Sequence, residues 1–336
     1  MKTRKASSLV FLLLTGAAAW AHAGATAGAE SFDFLLIDPS ARAVGLGGAY
    51  TALASDSSAL FYNPAGLGRI KDHEATFMHT QYVEGLTQEN AGLATRSGWG
   101  LNLNFLNFSG IPRTRLDARD GGIGSAGLTD MALGGGYGQA LSESISVGAG
   151  GKYLRETIDN VSASGFAADV GVLASVPSLP GLSLGAALLN IGPDVRFQMR
   201  KEKLPQLGRV GVAYGFPGTK TDNTLTFDAT KARTDKIRFH IGTETVIEKT
   251  LALRVGFNTR YDASFGITGG VGLVWKTLGV DYAFVPFGDL GTAHRLGLTF
   301  RWGNEVDEDD AYLYRFRYEE KTRKPTFQEG DRFFSK

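Results

Sequence analysis

The sequence has no cysteine. That excludes disulfide staples, thiol catalysis, a thiolate-held metal and a lipidated N-terminal cysteine. It also lacks an excess of either charge: 35 Lys and Arg stand against 34 Asp and Glu, so nothing draws it electrostatically to nucleic acid or acidic substrates. Its histidines are His22, His73, His79, His240 and His294, with no His-x-x-x-His pair and no carboxylate cluster around them; neither a metal site nor a cofactor is expected. The glycine cluster Gly45-Leu46-Gly47-Gly48 has neither the GxGxxG spacing nor a Walker lysine, which removes a nucleotide loop. There is no nucleophile elbow; Asp56-Ser57-Ser58 reads as a helix cap over Ser57 to Tyr62, and no catalytic residue and no enzyme activity are expected. Beyond the first residues, no apolar stretch approaches the roughly 20 residues of a membrane-spanning helix.

What is present begins with a secretory signal. Lys2, Arg4 and Lys5 precede the apolar run Leu9–Leu14, and Ala21-His22-Ala23 supplies the small-x-small cleavage pattern, placing the signal at 1–23 and the mature start at Gly24. Forty-five glycines in 336 residues, without a collagen period and with ample apolar content, suit a β-structure whose backbones approach closely. From about Glu74 to Trp302 the pattern has period two. Leu296, Leu298, Phe300 and Trp302 alternate with Arg295, Gly297, Thr299 and Arg301, and Trp99, Leu101, Leu103 and Phe105 alternate with Gly100, Asn102 and Asn104. Such runs amount to about fourteen strands of roughly ten residues, starting near 74, 88, 99, 128, 144, 164, 182, 206, 223, 237, 251, 265, 278 and 293. The expected fold is all-β: a transmembrane, antiparallel, up-and-down barrel at 73–302. A hatch at 24–72 plugs its lumen, and a tail at 303–336 lies on the periplasmic side with both barrel ends. Short turns such as Ser97–Gly98 and Lys276–Thr277 are expected inside, and long loops such as Gly110–Gly127 and Gly192–Leu204 outside. A location in the outer membrane follows.

If the apolar face meets lipid, the other face lines the lumen with Lys152, Asp169, Arg209, Glu244, Arg254, Arg260, Asp281 and Arg295. Buried charges need partners. Arg254 and Arg295 are expected to meet Asp169, Glu244, Asp281 or the hatch; within the hatch, Arg42 is expected to meet Asp169, Glu244 or Asp281, and Asp56 to meet Arg209, Arg254, Arg260 or Arg295. The last strand, Arg295-x-Gly297-x-x-Phe300-x-Trp302, is similar to the signal by which outer-membrane barrels engage their assembly machinery. The lipid bilayer and that machinery are therefore the expected partners, and nucleic acid is not.

The hatch carries the most specific resemblance. Ala41-Arg42-Ala43-Val44-Gly45-Leu46-Gly47-Gly48-Ala49-Tyr50, followed by Asp56-Ser57-Ser58-Ala59-Leu60-Phe61-Tyr62-Asn63-Pro64-Ala65, resembles the N-terminal hatch of FadL-like outer-membrane proteins, most similar to their PorV/PorQ branch. Asn63, Pro64 and Ala65 are its most distinctive element. The resemblance implies a fourteen-stranded barrel with an internal hatch. It also implies either hatch-gated passage of small hydrophobic molecules or, as in the PorV branch, a non-transporting scaffold or type IX secretion accessory that binds secreted cargo proteins. The polar loop Gly110–Gly127, with Arg113, Arg115, Asp117, Arg119 and Asp120, does not suggest a hydrophobic capture groove.

Overall fold

The computed structural model describes residues 31–303 apart from 115, 118, 120–122, 198–199 and 262–264. The signal, its cleavage point before Gly24, the tail beyond Gly303, and Arg115 and Asp120 lie outside the described residues. Fourteen strands close into one antiparallel barrel. They are β1 (His73–Gln81), β2 (Thr87–Ala94), β3 (Trp99–Pro112), β4 (Ser125–Ala140), β5 (Ile145–Ile158), β6 (Val161–Ser175), β7 (Leu182–Ile191), β10 (Leu207–Pro217), β11 (Thr221–Ala232), β12 (Ile237–Ile247), β13 (Leu251–Asn258), β14 (Ile267–Trp275), β15 (Leu278–Pro286) and β16 (Thr292–Trp302). β8 (Val195–Phe197) and β9 (Arg200–Glu202) form a separate small hairpin between β7 and β10. The barrel closes where β1 pairs with β16, Thr76 opposite Thr299.

Period-two burial runs along the strands: in β12 and β13 every second residue is buried and its neighbours are exposed. The exposed set is apolar, including Leu101, Phe166, Leu225, Ile241, Val255, Leu273 and Leu298. A continuous outward face of this kind is stable against hydrocarbon and not against water. We call the end where β1 starts and β16 finishes the near end. There Trp99 packs on Tyr137 with ring centroids 5.0 Å apart, and Phe300 stacks on Trp302 at 5.6 Å; amphipathic rings of this type sit at a membrane interface. Turns at the near end have two to six residues, and connections at the far end run up to fifteen.

Residues 31–72 run down the lumen from the far end to the near end, with two one-turn helices, α1 (Ala41–Gly45) and α2 (Ala59–Tyr62). Ser40 caps α1, accepting from Ala43 N. The helix expected over Ser57–Tyr62 is shorter. Asp56 Oδ1 accepts from Ser58 N and the Ser58 hydroxyl, so its carboxylate closes a turn ahead of α2 rather than capping a longer helix. Asn63, before Pro64, is extended at φ −165°, as the proline ring requires. Its side chain then caps the 3-10 turn Pro64–Arg69 through Ala65 N.

Candidate functional site

The hatch meets the wall on glycines that the strand register brings side by side. Gly138, Gly148 and Gly171 pair in sequence across β4, β5 and β6, and the Asn63-Pro64-Ala65 turn rests on them. A Cβ on Gly148 would lie 2.3 Å from Pro64 C and O, and one on Gly171 would lie 2.0 Å from Asn63 Oδ1. Gly185 and Gly211 pair across β7 and β10 beneath Thr51. Gly242 and Gly256 pair across β12 and β13 beneath Leu46 and Gly47. Gly47 itself has φ +67°, and a Cβ there would lie 2.6 Å from Phe257 O. Gly45 approaches Gly270, and Gly48 lies beside His240. At Gly138, Gly148, Gly185, Gly242 and Gly256 the strand backbone meets hatch backbone, which no side chain would allow.

Hydrogen bonds tie the same points. Asn63 Nδ2 donates to Thr51 O at 3.1 Å and to Val172 O at 2.9 Å. Asp228 accepts from the backbone of Tyr50 and Thr51 at 3.0 and 2.9 Å and from the Thr51 hydroxyl at 2.5 Å. Arg209 pairs with Asp228 at 3.1 Å and donates to Gly48 O at 2.6 Å. His240 Nδ1 lies 2.8 Å from Gly47 O and therefore donates to it, while Thr268 accepts from Gly47 N.

A charge relay crosses from wall to hatch. Glu244 holds Arg42 at 2.8 Å and Arg254 at 2.6 Å, and Arg254 reaches Asp281 at 2.6 Å. Arg42 donates to the Tyr50 hydroxyl at 2.9 Å, and Tyr50 donates to Asp56 at 2.5 Å. Burial lifts the pKa of the neighbouring Tyr62 hydroxyl well above its ordinary value, which keeps that group neutral. Lys152 pairs with Asp169 at 3.0 Å and donates to Asn190 at 2.6 Å, beside the bulge where β6 and β7 shift register.

Several expected contacts are different. Asp56 meets no lumen arginine in the ion pairs among the described residues; it is satisfied by Tyr50 and Ser58, which reach it from within the hatch at lower desolvation cost. Arg295 pairs with none of Asp169, Glu244 and Asp281. Its guanidinium lies 5.3 Å over the Tyr82 ring, and its Nε and Nη1 have no partner. Arg260 lies past the end of β13, in a far-end connection, and donates from Nη1 to Leu36 O at 2.8 Å. Gly297 faces the lumen near Ala41, whereas Phe300 and Trp302 face outward. Asp228 was missed in the sequence; its signal was the inward ladder Thr224, Thr226, Asp228, Thr230.

The far half of the lumen is apolar on one side. Phe32 and Phe34 are buried in a cluster with inward-facing Leu106, Ala132, Leu154, Ala163 and Ala167. The 192–206 connection, expected as a plain outer loop, turns inward and adds Val195 and Leu204 to it. At the β1–β16 side, a gap of about 40 Å³ with a mixed lining lies among Arg42, Asp56, Glu74, Met78, Leu298 and Arg301. That is room for water, not for a solute.

Residues 14–153 match the profile of an uncharacterised protein family (UPF0164), under half of the chain. No curated protein sequence matches. Among solved structures, the CymD monoaromatic hydrocarbon channel aligns with a TM-score of 0.55 at 9% identity, over 78% of this chain and 97% of its own. The deltaS2 mutant of the TodX monoaromatic hydrocarbon channel aligns with a TM-score of 0.51 at 11% identity, over 79% and 98%. A Pseudomonas aeruginosa FadL homologue aligns at 0.44 and 11%, over 76% and 96%, too low to weigh. The two likenesses above 0.5 establish the fold alone, a closed barrel like that of those two channels.

Proposed function

We propose that the chain is an outer-membrane channel for small hydrophobic molecules, gated by its hatch, with the near end periplasmic. The observation that carries this reading is the apolar compartment in the far lumen. Inward strand positions there include Leu106, Ala132, Leu154, Ala163 and Ala167, with Asp130 and Glu156 at their border, and the chain fills the space with its own Phe32 and Phe34. Two of the structural neighbours, monoaromatic hydrocarbon channels, agree with it. A ligand entering from the far end would take the place of those rings, and the hatch below would have to shift before it passed on.

The test is binding of a neutral naphthalene-type fluorophore to the purified, folded chain. The Phe32→Ala/Phe34→Ala variant is expected to bind roughly tenfold tighter or more, because burying one such ring is worth about 1.5–3 kcal/mol. Absence of binding by both proteins would end the reading.

A second reading draws support from the hatch itself. The Arg42–Glu244 ion pair, wall-to-backbone hydrogen bonds and glycine seats fasten it, as a non-transporting scaffold would have it. A type IX secretion accessory of the PorV kind, holding cargo proteins at the membrane, is the form that the hatch motif suggests. Assembly machinery is proposed to read the Arg295-to-Trp302 strand in either case.

A further inference from the structure

Residues 31–37 are gripped by their backbone as well as by their side chains. Phe32 N donates to Glu156 Oε2 at 2.6 Å, and the Ser31 hydroxyl donates to Glu202. Four residues on, Leu36 O accepts from Arg260 Nη1 at 2.8 Å. Between these two points the chain makes a single 3-10 turn, Asp33–Leu36. Phe34 is buried in the leucine-lined cluster, and Leu36 packs on Leu189 and Leu207.

The wall groups at the two ends are under-satisfied by this occupant. Asp130 and Glu156 stand directly opposite each other in the β4–β5 register. Both are buried, and neither is in an ion pair among the described residues. Asp130 Oδ1 has no hydrogen-bond partner. At the other end, Arg260 is in no ion pair among the described residues; Asp38 and Asp235 act on it through space, and its Nε has no hydrogen-bond partner among the described residues. Two carboxyls placed opposite one another across strands cannot both ionise without repulsion. A neutral hydrocarbon in the compartment would cover these groups and satisfy none of them.

We propose that the far compartment is a peptide site, taking a short peptide of about five residues with apolar side chains, for which residues 32–36 are the resident stand-in. The inference rests on reading the compartment as a ligand site, and it names the ligand class. A free peptide lying as residues 32–36 lie would set its ammonium against Glu156 and Asp130 and its carboxylate against Arg260. Its ends would bring an ammonium to the two carboxyls and a carboxylate to Arg260 at the points now held by Phe32 N and Leu36 O, through charge-assisted hydrogen bonds stronger than the present backbone contacts.

The probe is the pentapeptide Phe-Asp-Phe-Leu-Leu with free termini, titrated calorimetrically into the chain with residues 24–37 deleted, because the backbone contacts of residues 32 and 36 persist in Phe32→Ala/Phe34→Ala. The naphthalene fluorophore is measured in parallel, and heat-modifiable gel mobility checks that each variant is folded. The peptide is expected to bind. Acetylating and amidating its ends, or introducing Glu156→Gln or Arg260→Gln, is expected to weaken it roughly tenfold while leaving fluorophore binding within about twofold. If the fluorophore binds and the peptide does not, or if the substitutions weaken both alike, the peptide assignment is overturned and the hydrophobic-channel reading stands. If neither ligand binds, both are overturned.

Discussion

Glu244→Ala is expected to loosen the hatch by about 3–5 kcal/mol, the usual cost of removing one partner from a buried ion pair. Glu244 is 1% exposed and is the only carboxylate contacting both Arg42 on the hatch and Arg254 on the wall among the ion pairs of the described residues. Its removal takes from Arg42 its carboxylate on the wall, leaving the Tyr50 hydroxyl within the hatch, while Arg254 keeps Asp281. The loss therefore falls on the hatch side of the contact. At 1.4 kcal/mol per factor of ten, the released fraction should rise by roughly two to three orders of magnitude. The absence of native cysteine makes the readout clean: with Ala54→Cys, a residue 1% exposed inside the hatch, maleimide labelling from solution reports release. Asp159→Ala removes the exposed pair with Arg113 and serves as the comparison, since such surface pairs contribute about 0–1 kcal/mol. Equal labelling of the Glu244→Ala protein and its parent would show that the relay does not hold the hatch.

Gly256→Val should displace the hatch by a different route. A Cβ at Gly256 would lie 2.1 Å from Gly47 N and 2.4 Å from Leu46 C, so the obstacle is backbone on both sides and no rotamer relieves it. Overpacking by a methylene or two typically costs 1–3 kcal/mol where side chains can move; here the hatch turn must leave the wall. The His240–Gly47 and Thr268–Gly47 hydrogen bonds go with it. Labelling at Ala54→Cys is expected to rise at least tenfold. Gly269, where a Cβ meets nothing within 4 Å, provides the control, and Gly269→Ala should label like the parent. Parental labelling of Gly256→Val, in a barrel that still shows heat-modifiable mobility, would mean that the seats do not position the hatch.

The barrel was legible in the sequence because a strand with one face in lipid must alternate strictly. The fourteen starts inferred from period two fall at most three residues from those of the barrel strands. The β8–β9 hairpin was not legible, since three-residue strands have no period to detect. Neither was the apolar compartment. Leu106 and Leu154 are inward residues beside outward apolar neighbours, so along the chain they blur the alternation instead of marking a site. The glycine content suggested closely approaching backbones, but the alignment of glycines into seats depends on register between strands. Charge pairing was only partly readable. Arg254 has the acids its position offered, whereas Asp56 is satisfied locally by Tyr50 and Ser58, and Arg295 rests over Tyr82. Local hydroxyls and rings compete with distant ions, and sequence spacing does not rank them.

The central claim is that the hatch, described from residue 31, closes the lumen. Single-channel recording in planar bilayers of the mature chain and of a Gly24–Ile70 deletion tests it most directly. The account predicts little ion conductance from the intact chain, because the gap beside its hatch admits only water-sized species, and stable, larger conductance steps from the deleted one. Equal conductance from the two proteins would contradict it.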